Sequence, residues 1–243
     1  MEVIPFELVI SIASSNPVTL VLMVCASKRV YNYIQTIAGR NLFMAICAST
    51  IKGRSKLTTI STITGKFHSF YDQPAFIGGL DKQVWYWNGK IHRMNGPAVI
   101  DTKGKTEWYR YGKPHRSKGP AIVFANGDKE WRRHGLLHRL DGPAVVNTNG
   151  QQAWYQHGEL HRLNMPAFTS ANGKQKWYLN GKLHRVGGPA VTRSNGDQVW
   201  CQHGKKHRED GPAVTHATGQ VEYWLNGKKQ LFTGNLPPIV DTI

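Results

Sequence analysis

Two patterns of hydrophobic and polar residues divide the chain. Residues 1–50 are mostly apolar and contain helix-start signals, whereas from Gln83 onward short aromatic and aliphatic runs alternate with glycine-containing turns. The first pattern predicts helices and the second predicts β-hairpins. The predicted fold class is therefore α+β, with a small N-terminal helical domain followed by an elongated antiparallel β-hairpin repeat array.

The helix signals in the first 50 residues are local. Pro5 suits the first position of a helix, and Asn16-Pro17 combines an N-cap with the same proline signal. Gly39 is typical of a helix end. The predicted helices span about residues 6–13, 18–25, 28–38 and 41–49.

An uncharged stretch, residues 8–26, approaches the length of a membrane span, which needs about 20 mostly apolar residues. Ser14-Ser15-Asn16-Pro17 interrupts it, and Glu2 and Glu7 precede it where a signal peptide carries positive charge. We therefore expect two short buried helices and no transmembrane segment.

The N-terminal segment resembles an F-box. Ile4-Pro5-Phe6-Glu7-Leu8 matches the start of the family pattern, and Val24 to Tyr31 matches its later Ser-Lys element. The resemblance implies a helical domain that docks on a Skp-type adaptor of cullin–RING ubiquitin ligases. It also implies the residues that contact this adaptor or hold the domain together: Pro5, Leu8, Ile12, Leu20, Leu22 and Val24. The alternative is a helical cap that closes the end of the following domain.

A 23-residue repeat dominates the rest of the chain. Each of six units contains a tryptophan, a His-Arg pair and a Pro-Ala pair, with no insertion. The tryptophans are Trp85, Trp108, Trp131, Trp154, Trp177 and Trp200. The His-Arg pairs are His92 and Arg93, His115 and Arg116, His138 and Arg139, His161 and Arg162, His184 and Arg185, and His207 and Arg208.

The repeat units have the composition of β-hairpins. Asn-Gly pairs recur between aromatic and aliphatic runs and favour tight turns. Units at both ends are degenerate, as end caps of a stacked array require. The predicted domains are a helical domain over 1–50, a linker or first strand over 51–61, the array over 62–233 and a tail over 234–243. We expect the tryptophans to form the core ladder of a flat meander or a closed solenoid.

The array resembles MORN repeats in a variant form built on Trp-Tyr-x-x-Gly-Lys-x-His-Arg-x-x-Gly-Pro-Ala. This resemblance covers about residues 62–230 and implies a curved antiparallel sheet with a groove. The chain lacks the closely spaced later glycines of the commoner MORN pattern. An F-box joined to such repeats resembles proteins of giant DNA viruses that infect amoebae.

The charge balance directs attention to acidic partners. The chain has 243 residues, with 31 Lys and Arg against 15 Asp and Glu, a net charge of +16. Such a charge favours nucleic acid, an anionic membrane or an acidic protein as partner. Cys25, Cys47 and Cys201 form neither a metal-binding spacing nor a disulfide framework, and they fit an intracellular location in the cytoplasm or nucleus.

The sequence predicts no catalytic residues, no cofactor and no metal site. The notable polar residues repeat in every unit, and this favours architecture or linear recognition over one active site. His134 and His138 have a metal-like spacing that recurs in two later units, but a turn glycine separates the members and no third ligand recurs.

The His-Arg row has two interpretations. It is either a basic row that binds phosphates or acidic protein, or a structural element in which each arginine stacks on an aromatic ring or pairs with a carbonyl in the next unit. Its presence in every unit favours the structural interpretation.

Two functional hypotheses follow. In the first, the protein is a non-enzymatic adaptor that recruits a Skp-type ligase subunit through its N-terminus and an unidentified target protein through the repeats. In the second, it is a scaffold whose repeats bind anionic surfaces of nucleic acid, acidic lipid or acidic protein.

Overall fold

The structure, a computed structural model, describes residues 48–53, 56–61, 66–69, 72–77 and 82–231. The chain divides into two compact units, Met1–Lys113 and Pro114–Ile243. All regular elements in the described residues are β-strands. The β-hairpin repeat predicted from the period is therefore confirmed.

Most strands are only two residues long. Those of the first unit, with β10 at its boundary, are β1 (Ala48–Gly53), β2 (Lys56–Ser61), β3 (Phe76–Ile77), β4 (Gln83–Val84), β5 (Tyr86–Trp87), β6 (Lys90–Ile91), β7 (Val99–Ile100), β8 (Thr106–Glu107), β9 (Tyr109–Arg110) and β10 (Lys113–Pro114).

The strands of the second unit continue this numbering along the chain. They are β11 (Ile122–Val123), β12 (Lys129–Glu130), β13 (Arg132–Arg133), β14 (Leu136–Leu137), β15 (Val145–Val146), β16 (Gln152–Ala153), β17 (Tyr155–Gln156), β18 (Glu159–Leu160), β19 (Phe168–Thr169), β20 (Gln175–Lys176), β21 (Tyr178–Leu179), β22 (Lys182–Leu183), β23 (Val191–Thr192), β24 (Gln198–Val199), β25 (Cys201–Gln202), β26 (Lys205–Lys206), β27 (Val214–Thr215), β28 (Val221–Leu225) and β29 (Lys228–Gln230).

Each repeat contributes strands of two kinds. Its first and fourth strands join an antiparallel sheet, and its second and third form a separate two-stranded hairpin. In the first unit the sheet order is β1-β2-β3-β4-β7-β8, with β5–β6 as a hairpin. In the second unit the sheet runs from β11 to β28, and hairpins such as β17–β18 and β21–β22 lie outside it.

Two classes of turn connect these strands. In the two-stranded hairpins both turn residues have positive φ, for example 48° at Asn180 and 72° at Gly181, as a type I′ turn requires. In the sheet, a longer loop closes on a single glycine with positive φ, for example 90° at Gly127, whose N–H donates to the Phe124 carbonyl at 2.9 Å. Asn-Gly therefore marks two different turns in this chain.

The alanine of each Pro-Ala pair is the most completely buried residue of its repeat. Its exposed fraction is 0–1% at Ala75, Ala98, Ala121, Ala144, Ala167, Ala190 and Ala213. Among the tryptophans, Trp85 is 4% exposed and the other five are only half-buried. The backbone N–H of Trp154 donates to the Ala167 carbonyl at 2.8 Å, and the same bond recurs in other repeats. The small alanine thus lets the start of the hairpin approach the sheet closely.

The predicted α+β class is wrong for the part of the chain that the structure describes, because no helix occurs there. The fourth predicted helix, 41–49, overlaps β1, which begins at Ala48. In the segment expected to be a linker or first strand, β1 ends at Gly53 and β2 begins at Lys56, and these two residues lie opposite each other. These strands contain the segments Ser-Thr-Ile and Leu-Thr-Thr-Ile-Ser, whose β-branched residues favour strands over helices. The other three predicted helices lie outside the described residues.

No helix long and apolar enough to span a membrane is found among the residues with described structure. The uncharged stretch 8–26 lies outside them.

Candidate functional site

The repeat arginines stack on the repeat tryptophans. The arginine Cζ lies 3.8–4.3 Å from the tryptophan ring centroid in five repeats. This distance suits a cation–π interaction. The pairs are Arg93 on Trp85, Arg139 on Trp131, Arg162 on Trp154, Arg185 on Trp177 and Arg208 on Trp200.

Each guanidinium also makes a hydrogen bond within its own repeat. Nη1 donates to the proline carbonyl four residues later at 3.1–3.3 Å in all six repeats, as from Arg139 to Pro143 and from Arg185 to Pro189. Arg93 additionally binds the Asp72 carboxylate through Nε and Nη2, both at 2.7 Å. The arginine side chains are therefore held by internal contacts.

The glycine before each proline makes room for the arginine. A Cβ added at Gly142 or Gly188 would lie 2.8 Å from the Cζ of Arg139 or Arg185, closer than van der Waals contact allows. Met165 takes this position in the fourth repeat. In the repeats of Trp85, Trp131, Trp177 and Trp200, the guanidinium lies against both the tryptophan ring and this glycine.

The repeat histidines join one repeat to the next. In each case Nδ1 accepts the backbone N–H of the first residue in the following type I′ turn, at 3.1–3.2 Å. His138 accepts from His157 in this way, and His184 accepts from His203. An accepting Nδ1 must be unprotonated, so the neutral ring carries its proton on Nε2.

Burial lowers the pKa of His92, His138 and His184. A neighbouring positive charge lowers it further, from Arg110 near His92, from His157 and Arg133 near His138, and from His203 near His184. Both effects favour the neutral imidazole that the turn hydrogen bond requires.

The histidine contacts differ from those suggested by sequence spacing. The rings that meet belong to His115 and His134, His138 and His157, and His184 and His203, with centroids 4.5–4.7 Å apart. His134 and His138 therefore contact different partners. Within the described ranges, no group of three or more His, Cys, Asp or Glu side chains is arranged to hold a metal ion.

A second row of side chains lies directly after the arginines, and the sequence interpretation did not identify it. Exposed aliphatic residues occupy this position at Met94 in the first unit and at Leu140, Leu163 and Val186 in the second. Their exposed fractions are 62–73%. We call Leu140, Leu163 and Val186 the aliphatic row. Its signal in the sequence was an apolar residue recurring at the repeat period beside a charged one.

The aliphatic row borders two crevices between consecutive repeats. Leu140 lies in a crevice of about 530 Å³ that also contains Arg116, Lys118 and Arg133. Leu163 and Val186 line the second crevice, of about 410 Å³. Both crevices combine apolar side chains with arginines.

The exposed lysines of the hairpins form a third row. Each is the first residue of a hairpin strand. The stems of Lys90, Lys182 and Lys205 lie beside the turn glycine of the next repeat. Leu136 and Glu159 interrupt the row. The row is therefore a basic surface that one uncharged residue and one acidic residue interrupt.

Comparison with known proteins gives no assignment: no family model and no curated protein matches this chain. The residues expected to bind a Skp-type adaptor, from Pro5 to Val24, lie outside the described residues.

Proposed function

We propose that the protein is a non-enzymatic interaction protein that brings a target to a ubiquitin ligase. The repeats hold the target, and the N-terminal segment recruits the Skp-type subunit of a cullin–RING ligase. Such a role belongs in the cytoplasm or nucleus. The observation that carries the target-binding half is the aliphatic row.

The aliphatic row supports target binding because, among the described residues, no contact gives these exposed apolar side chains a structural role. The arginine and the histidine of each repeat have structural partners, so their recurrence follows from the packing of each repeat and its contact with the next. Leu140, Leu163 and Val186 instead project apolar surface into water at the repeat period. Exposed apolar surface in a contiguous row marks an interaction site in soluble proteins.

The charges around the aliphatic row indicate the chemistry of the target. Arg116, Lys118 and Arg133 line the first crevice, whose single carboxylate, Asp141, is bound to Arg139 at 3.0 Å. Sheet strands lie about 4.8 Å apart, so equivalent residues of neighbouring repeats recur about every 10 Å. An extended acidic segment with apolar side chains at a matching spacing fits this surface.

The N-terminal half of the proposal rests on Ile4-Pro5-Phe6-Glu7-Leu8 and its resemblance to the F-box pattern. Co-purification of the full chain with a Skp-type adaptor tests it. Wild type should retain the adaptor, and the double variant Pro5→Ala with Leu8→Ala should lose it. Failure of the wild type to bind the adaptor would remove this half of the proposal.

A variant in the repeats separates the two halves. Leu163→Glu places a charge in the middle of the aliphatic row and should still bind the adaptor while losing the target. Thr218→Glu, at an exposed sheet turn outside the row, is the matched control and should keep both. Equal capture of the target by wild type and Leu163→Glu would exclude the row as its binding surface.

A scaffold that binds anionic surfaces is the second candidate. Lys182, Lys205 and Lys228 are exposed at the same position of consecutive repeats, and this favours it. Binding to duplex DNA or acidic vesicles should then weaken steeply with salt. Replacing the three lysines by glutamine should flatten this salt dependence, and binding that is insensitive to salt would rule the candidate out.

A further inference from the structure

The sixth repeat departs from the others at an interior position. The residue after the repeat tryptophan is tyrosine at 86, 109, 155 and 178, arginine at 132 and cysteine at 201. Cys201 is 3% exposed and packs with Val191, Val199 and Val214. A cysteine side chain is much smaller than a tyrosine side chain, so the substitution leaves space that the tyrosine fills elsewhere.

An open groove of about 420 Å³ lies beside Cys201. Its floor is formed by Leu183, Val191, Val199 and Cys201. Sites for small molecules commonly have such a size and an apolar lining with a few polar groups. The groove lies entirely within the second unit.

Four cationic side chains surround the floor: Lys174, Lys176, Arg193 and Lys206. Two of them have acidic partners outside the groove lining. Arg193 Nη1 lies 3.1 Å from an Asp197 carboxylate oxygen, and Lys206 Nζ lies 3.3 Å from a Glu222 carboxylate oxygen.

Lys174 and Lys176 have no carboxylate within ion-pair distance among the described residues. Burial lowers the pKa of Lys176, and the charges of Lys174 and Arg193 lower it further. The mutual repulsion of these cations is relieved when an anion binds between them.

We propose that this groove is a binding site for a small organic anion with an apolar body. The apolar body lies on the Val191–Val199–Cys201 floor, and its carboxylate, sulfonate or phosphate group lies between Lys174 and Lys176. Cys201 contributes its small size and no covalent chemistry. The site is independent of the aliphatic row and of the N-terminal segment.

Two fluorescent probes that differ in one group test the charge requirement. 8-Anilinonaphthalene-1-sulfonate carries the anion and the aromatic body, and N-phenyl-1-naphthylamine carries the same body without the sulfonate. The full-length protein should bind the sulfonate probe saturably at one site, and about tenfold more tightly than the neutral probe. Equal affinity for the two probes would overturn the proposal.

Variants of the repeat provide the structural control. Cys201→Tyr restores the residue found in four other repeats, fills the groove and should abolish saturable binding of the sulfonate probe. Cys201→Ser keeps the side chain small and should retain binding. Wild-type affinity in a folded Cys201→Tyr protein would overturn the proposal.

Lys176→Gln tests the same site by removing one positive charge from it. It should weaken the sulfonate probe about tenfold and leave the neutral probe unchanged. Leu163→Glu, in the aliphatic row, should leave both affinities unchanged. An unchanged affinity of Lys176→Gln for the sulfonate probe would also overturn the proposal.

Discussion

At the residue scale, the glycine before each proline explains how a guanidinium can lie flat on a tryptophan inside a repeat. In five repeats the arginine approaches this glycine so closely that an added side chain would make it shift. In the fourth repeat, Arg162 stacks on Trp154 at 3.8 Å beside Met165. Its Nη1 reaches the proline carbonyl, and its face covers the ring. Three motif positions that look independent in the sequence thus form one packing unit.

Gly142→Ala should therefore destabilise the protein. The new Cβ would lie 2.8 Å from Arg139 Cζ, so the guanidinium must shift and its stacking on Trp131 weakens. Because the guanidinium is the end of a flexible side chain and can shift, we expect a loss of about 0.5–1 kcal/mol, measured by urea unfolding. Met165→Ala, at the equivalent position of the fourth repeat, is the control and should be close to neutral. A Gly142→Ala protein as stable as wild type would contradict this packing.

The repeat histidines make stability depend on pH. Because the folded-state pKa of His92, His138 and His184 lies below the ordinary value of 6.5, the unfolded chain binds protons more readily than the folded protein. Stability should be complete above pH 6.5 and should fall as pH drops below it. The urea midpoint should therefore be lower at pH 5 than at pH 7.5.

A histidine variant isolates this effect. His138→Gln removes one titrating group, so its urea midpoint should fall less between pH 7.5 and pH 5 than that of wild type. The carboxylates of Asp141, Asp197 and Glu222 have a lowered pKa, about 2 for Glu222, and remain ionised in this window. Parallel pH profiles of the two proteins would refute the role assigned to His138.

At the scale of elements, the two turn classes have different structural roles within each repeat. The type I′ turn closes a hairpin outside the sheet, and its first backbone N–H donates to the histidine of the previous repeat. The longer glycine loop joins neighbouring strands of the sheet. The same Asn-Gly pair occurs in both, so its position relative to the tryptophan decides which turn forms.

Asn180→Val tests the strain at a type I′ position. The residue has φ of 48°, which a β-branched side chain tolerates poorly. We expect a loss of about 1–2 kcal/mol in the free energy of unfolding. Asn180→Gly should lose clearly less, because glycine accepts positive φ, although the contact of 2.7 Å between Asn180 and His161 disappears. Equal losses for the two variants would assign the effect to that contact.

The sequence predicts these elements well where the repeat is regular. The spacing of Trp, His-Arg and Pro-Ala was sufficient to predict hairpins, because turn glycines and apolar runs alternate at a fixed period. The spacing could not show that Ala167 is more deeply buried than Trp154, because burial depends on how closely the hairpin approaches the sheet. The prediction also failed at Ala48 and Ser49, which the fourth predicted helix included, because the β-branched residues that follow them continue the same strand.

The candidate site was only partly predictable. A structural role for the arginines was among the interpretations, but the carbonyl partner was expected in the next repeat. Nη1 instead binds the proline carbonyl of its own repeat, as from Arg139 to Pro143. The groove at Cys201 could not be predicted as a site from the sequence, because it depends on the absence of a tyrosine and on cationic side chains from different repeats. A departure from the repeat was its only signal in the sequence.

At the scale of the whole molecule, most described contacts join residues of one repeat or of neighbouring repeats. Hydrogen bonds from Arg139 N–H to the Tyr155 carbonyl, and from His157 N–H to His138, connect adjacent repeats in the same way throughout the second unit. Stability is then approximately a sum over repeats and their interfaces.

Deleting residues 152–174 removes one full period from the second unit. We expect the shortened protein to fold with wild-type circular dichroism per residue and with a urea m-value lower by about a tenth. Deleting 152–173 instead shifts the strand alternation by one residue and turns inward-facing side chains outward. That protein should lose cooperative unfolding, and similar behaviour of both deletions would contradict the repeat register.

The shared histidine-to-turn hydrogen bond has an evolutionary consequence. Because each repeat offers its successor the same acceptor, an in-frame duplication or loss of one period in the gene creates no unmatched junction. Array length can therefore drift while folding is preserved. Ligand preference can change separately, through single substitutions at positions such as 201 that leave the junctions untouched.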